Sequence, residues 1–224
     1  PHKFVRAVVH HGEEESEAAP SEKEEEEEEE ELSEDTKALM AAVMGATALI
    51  SMFISNTSTA LIMMPMALAM LAAGGVKPGE TEGIAGALPM GISFAASIGG
   101  LGTIVGSPTN ALSAGLLEES LGVTIGFAEW SLYGIPIVLL GVPLAAWLIA
   151  RVQRLGSSTF EPAAARTAIG GEREWSAAER RLIVVMALTV LAWVAQPWLE
   201  TLLPKGALTD GSIAAVAGLA LLTL

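Results

Sequence analysis

The chain has no cysteine, which excludes disulfides, thiol nucleophiles and thiolate metal sites. Its three histidines, His2, His10 and His11, stand near the start, outside every apolar run. Charge is missing over long stretches: 38–76, 83–117, 131–150, 182–199 and 211–224 carry none. With 51% of residues hydrophobic, those runs mark a membrane protein. The first two runs hold no Lys, Arg or His, so neither contains a cationic side chain. They hold no Asp or Glu either, which removes a proton relay there. An initiator Met and a signal peptide are also missing, and the last apolar run stops at Leu224. A piece of a longer protein is the expectation.

What the first run does contain is Ser55, Asn56, Thr57, Ser58 and Thr59 in a row. The apolar segments flanking them, 38–54 and 60–73, are each shorter than the ~20 residues a spanning helix needs. Two short helices meeting at a polar tip are therefore expected, a hairpin that enters and leaves the membrane on one side. Consecutive polar residues at that depth are tolerable only where they line a cavity or are covered by protein. An ion and substrate site follows as the expectation.

The net charge of −14 comes from one place. Residues 13–35 hold 15 of the 26 acidic residues and one Lys, leaving 11 acidic against 11 basic residues elsewhere. The run 24–31 is low-complexity and self-repelling, and reads as a disordered, solvated loop. Arg151, Arg154, Arg166, Arg173, Arg180 and Arg181 gather in 151–181, which the positive-inside rule makes cytoplasmic. Counting back puts 118–129 outside and the acidic tail in the cytoplasm, provided that 38–76 is re-entrant. Trp130 and Tyr133 read as interfacial aromatics, Trp147, Trp175, Trp193 and Trp198 as anchors or packing, and the nine methionines mostly as packing.

The second polar cluster runs from Ser97 to Asn110 and includes Gly99, Gly100, Gly102 and Gly106. Four glycines within eight positions predict unwound backbone in mid-span. Ser107 followed by Pro108 is a helix start, with Ser as N-cap and Pro at the first helical position. A half-helix beginning there aims its positive end into the membrane interior, where an anion can be held. The free carbonyls ending the preceding half-helix suit a small cation, a division of labour found in secondary transporters.

These two stretches, 51–60 and 97–110, resemble the motifs of the divalent anion/sodium symporters, which carry dicarboxylates, citrate or sulfate. The family usually has a second Pro where this chain has Thr109. The resemblance implies an all-α membrane protein built from a re-entrant hairpin with broken and continuous transmembrane helices. It would be one half of an inverted-repeat, homodimeric elevator transporter whose C-terminal repeat is missing. The implied divisions are an acidic cytoplasmic loop (1–36), a transport-domain half (37–152), a cytoplasmic connector (153–181) and scaffold helices (182–224). The transport-domain half would comprise the hairpin 38–76, the broken helix 83–117 and the helix 131–150. Ser51, Ser55, Asn56 and Gly106 would surround a sodium ion, the coupling ion. Asn56, Thr57 and Ser107 would contact the substrate, with Gly102, Thr103, Pro108 and Asn110 in support. The implied partners are a small dianion, most simply a C4 dicarboxylate, and the lipid bilayer of the inner membrane, but no nucleic acid.

Three rivals share some of these features. An antiporter or arsenite-type carrier calls for an intramembrane carboxylate. A serine hydrolase calls for a His or Lys to activate Ser55 or Ser107. A channel sits poorly with dead-end hairpins, and no enzyme activity is expected.

Overall fold

The computed structural model describes residues 22–155, 160–168, 175–199 and 208–223. The described residues form α1 (Glu22–Ser51), α2 (Asn56–Ala73), α3 (Ile84–Gly99), α4 (Pro108–Leu121), α5 (Phe127–Val152), α6 (Pro162–Ala168), α7 (Ala177–Leu199) and α8 (Asp210–Thr223). Each chargeless run corresponds to one helix, or to two helices separated by its polar cluster. Three helices, α2, α5 and α7, are long and apolar enough to cross a membrane. The histidines, Arg173 and the start of the acidic segment lie outside the described residues.

The acidic segment departs from the disorder expected of it. Residues 22–35 are helical and continue without a break into the apolar part of α1. Glutamate is a good helix former, and negative charge near a helix N-terminus opposes the positive end of the macrodipole. Once the apolar residues are nucleated by packing, each added residue gains a backbone bond at little further cost. At its inner end this segment is tied down: Thr36 is buried and donates to Leu32 O at 2.8 Å. Asp35 also meets Arg166 of α6 at 3.4 Å, a weak exposed pair. Deleting 13–31, which stops short of Leu32, should leave substrate affinity of the full-length protein within about twofold, or ~0.4 kcal/mol. Isothermal titration checks this, and a tenfold loss would make the segment part of the binding machinery.

The hairpin turn is shorter than its polar composition suggests. Only 52–55 are non-helical, and Asn56 to Thr59 form the first turn of α2. Ser55 causes this, because its hydroxyl accepts the Ser58 N–H at 3.3 Å and caps α2. The arms differ in reach. The chargeless part of α1 after Lys37 rises ~21 Å, while the 18 residues of α2 rise ~27 Å, against a hydrocarbon core of ~30 Å.

The arms sandwich α3, which packs on α1, α2 and α5. Met40, Met44, Met63, Met70, Leu88 and Ile92 interlock in this core, confirming packing for those methionines. A methyl on Gly99 would overlap the backbone of Ala48, so the absent side chain sets how closely α1 and α3 approach. The connector is docked rather than free where it is described. Phe160 is buried against Gly74 at the base of α2, and Glu161 N–H donates to Gly74 O at 3.1 Å.

Candidate functional site

Both polar clusters interrupt their helices, and the two interruptions pack against each other. On one side is the turn 52–55 between α1 and α2, and on the other the stretch 100–107 between α3 and α4. The seam is made mostly of backbone. A Cβ built on Gly106 would lie 2.7 Å from Gly100 O and 3.0 Å from both Ser51 O and Met52 O, so only glycine fits here. The Ser51 carbonyl closes the C-terminal end of α1, where carbonyls lack helical donors.

Four side chains hold the seam. The buried Thr103 donates its hydroxyl to Met52 O across the gap and accepts the Gly106 N–H at 3.1 Å. Asn110, also buried, donates through Nδ2 to Gly100 O (2.7 Å) and Thr103 O (2.9 Å), tying the first turn of α4 to the break. Ser51 Oγ lies 2.7 Å from Ala96 O and 3.1 Å from Asn56 Oδ1. One hydroxyl proton cannot serve both acceptors, and the shorter bond takes it. Two oxygens with lone pairs toward each other then face the gap, an arrangement that suits a small hard cation. Asn56 Oδ1 also fills the space a side chain on Gly100 would need. The Asn56 amide nitrogen makes no hydrogen bond among the described residues and remains available as a donor.

The expected set divides in three. Ser51, Asn56, Gly106, Gly102, Thr103 and Asn110 meet at the seam. Ser55 instead has its hydroxyl on Ser58, at 2.9 Å from Ser58 Oγ and accepting from Ser58 N, so the start of α2 occupies it. Thr57 is exposed on that first turn. Ser107 does occupy the N-cap position of α4 with extended backbone, and Pro108 follows at the first position. Its hydroxyl does not cap the helix, however, and pairs with Thr109 Oγ1 at 2.8 Å.

Other contributions were not readable beforehand. Gly100, Ala96 and Met52 act through backbone carbonyls, which residue type does not announce. From the other side, α5 braces the break. Trp130 Nε1 donates to Leu101 O at 3.0 Å, a role beyond the interfacial one expected of it. Gly134, one helical turn on, lies against the carbonyls of Leu101 and Gly102. Among the described residues no group of His, Cys, Asp or Glu could hold a metal, so a cation here would be held by neutral oxygens.

Similarity to known proteins identifies the family. The citrate transporter family matches residues 32–223. A sodium-dependent dicarboxylate transporter, SdcS, of Staphylococcus saprophyticus subsp. saprophyticus is 35% identical over 126 residues, 54% of this chain and 24% of that protein. SdcS of Staphylococcus aureus (strain USA300) is 34% identical over 128 residues, with the same shares covered. The match thus spans about a quarter of the length of these relatives. Because the family match takes in nearly all of the described residues, the chain belongs to the citrate transporter family, a family of membrane transporters and not of enzymes.

Proposed function

We propose that this chain is the first of two inverted repeats in a sodium-coupled symporter for a divalent anion, with a C4 dicarboxylate as the favoured substrate. The observation that carries the reading is Asn56. Its side-chain oxygen lies beside Ser51 Oγ and against Gly100, while its amide nitrogen keeps its donors for another ligand. A sodium ion on the oxygen side and a carboxylate on the nitrogen side would each reduce the cost of desolvating the other. The sodium-dependent dicarboxylate relatives fit this chemistry.

In this reading the sodium site draws on Ser51, Asn56, the Gly100 carbonyl and the close approach at Gly106, with Ser55 contributing through its position. Thr57 and Ser107 face the anion with Asn56. Residues 38–76 form a re-entrant hairpin, α3 and α4 a broken span, and 37–152 the half of a mobile body that slides past 182–224 in an elevator motion. The whole protein is a homodimer in the inner membrane, with the acidic end of α1 and residues 151–181 on the cytoplasmic side.

Full-length protein in proteoliposomes tests the function. An inward sodium gradient should drive uptake of a labelled C4 dicarboxylate, and potassium in its place should not. Uptake driven by a proton gradient without sodium would overturn the coupling. Residues 1–224 reconstituted alone should give no uptake, because a site at a repeat interface needs both halves.

A further inference from the structure

Asp210 opens α8, yet its carboxylate serves another helix. Phe127, the first residue of α5, donates its N–H to Asp210 Oδ2 at 3.1 Å, across 83 residues of sequence. The helix α8 has its own cap: Ser212 N–H donates to Thr209 Oγ1 (3.1 Å) and Thr209 N–H to Ser212 Oγ (2.9 Å). The start of α5 lacks one, since Gly126 stands at its N-cap without a side chain. The carboxylate thus supplies α5 with both a charge-assisted bond and a favourable charge at its positive end.

The surroundings fasten the same contact to α7. Trp193 Nε1 donates to Asp210 O at 3.1 Å, and its ring stacks on Phe127 with centroids 4.4 Å apart. Ile213 completes this buried cluster, and Phe53 from the hairpin turn and Ile104 from the break pack against it. The apolar part of the contact has no preferred direction and tolerates sliding. The Asp210 bond is directional, so displacement of α5 breaks it outright.

We infer that Asp210 is a positioning residue, a latch that fastens the start of α5 to α7 and α8 in one end state of transport and releases it in the other. The inference rests on the two-body reading above, in which α5 moves with the hairpin and α7 and α8 do not. A contact that exists in only one state biases the balance between them, and through it the exposure of the neighbouring ion and substrate site.

The chain's lack of cysteine allows a clean test. Thr124 and Pro197 line one cleft of about 220 Å³ beside the Phe127–Trp193 stack, Thr124 ahead of α5 and Pro197 in α7. The pair Thr124→Cys and Pro197→Cys is placed in full-length protein whose remaining cysteines, if any, are replaced, and is treated with a short bis-maleimide. The parent pair should cross-link, with a yield that changes when sodium and dicarboxylate are added. Asp210→Ala should lower the yield about fivefold in the condition where the parent cross-links best. Asp210→Asn, which keeps a neutral acceptor, should lower it only about twofold, a partial rescue. Should the Ala variant fail to insert, the Asn variant decides alone: a drop supports the latch and the parent's yield overturns it. Parent-like yields in both variants likewise overturn it. A parent yield indifferent to ligands refutes the two-body reading instead, so the two failures are distinguishable.

Discussion

Asn56→Asp in the full-length protein should abolish dicarboxylate binding and leave sodium binding in place. The substitution keeps an oxygen beside Ser51 Oγ and Gly100, where the cation would sit. It replaces the amide donor with a negative charge facing the anion. Loss of a donor to a charged group costs ~1.5–3 kcal/mol, and juxtaposed like charges add several more, so substrate affinity should fall a hundredfold or more. Asn56→Ala removes both functions at once, and should weaken sodium and substrate by about tenfold each at ~1.4 kcal/mol per decade. Direct binding of sodium and of substrate, each measured alone and together, separates the two variants. If Asn56→Asp binds dicarboxylate like the parent, the residue does not touch the anion.

Gly106→Ala should be nearly as damaging although it removes no ligand atom. The added methyl would lie 2.7–3.0 Å from three carbonyl oxygens, all backbone atoms that no rotamer change can move. The two interruptions must separate to admit it, at a cost of ~1–3 kcal/mol for overpacking. On the proposed reading, separation would move Ser51 O and Gly100 O out of reach of one sodium ion. We expect a lower thermal midpoint and a loss of sodium affinity of at least about tenfold, since coordination depends on geometry held to ~0.5 Å. Gly115→Ala, in the helix α4 that follows the break, is the control: nothing lies within 4 Å of a Cβ there, and both properties should stay near the parent's. A lowered midpoint with sodium affinity unchanged would mean that the close approach at Gly106 serves only packing.

The sequence made some of this architecture legible because the signals were local. An absence of charge marks apolar helices wherever it occurs, and Ser107 with Pro108 and the four glycines located the break within the span. The cluster at 55–59 located the turn but overstated its length, since the capping bond from Ser55 draws Asn56 to Thr59 into α2. The acidic helix was misread for a related reason. Self-repulsion argues for disorder in an isolated segment, but this one extends a helix whose far end is packed.

The pairing of the two interruptions was only partly legible. Which residue types would gather could be named, and Ser51, Asn56, Thr103, Gly106 and Asn110 do meet. That they meet through the carbonyls of Ser51, Met52, Ala96 and Gly100 could not be read, because every residue has a carbonyl. The bracing by Trp130 and Gly134 and the reach of Asp210 to α5 are likewise tertiary, separated from their partners by 29 residues or more.

The most direct measurement is the dissociation constant of a C4 dicarboxylate for the full-length protein across a sodium titration, set beside the sodium affinity with and without the dicarboxylate. Coupling between two sites is reciprocal, so substrate should tighten with sodium and sodium should tighten with substrate by the same factor. In Asn56→Ala that factor should shrink toward one. A substrate affinity that does not change with sodium in the parent would contradict the shared site at Asn56.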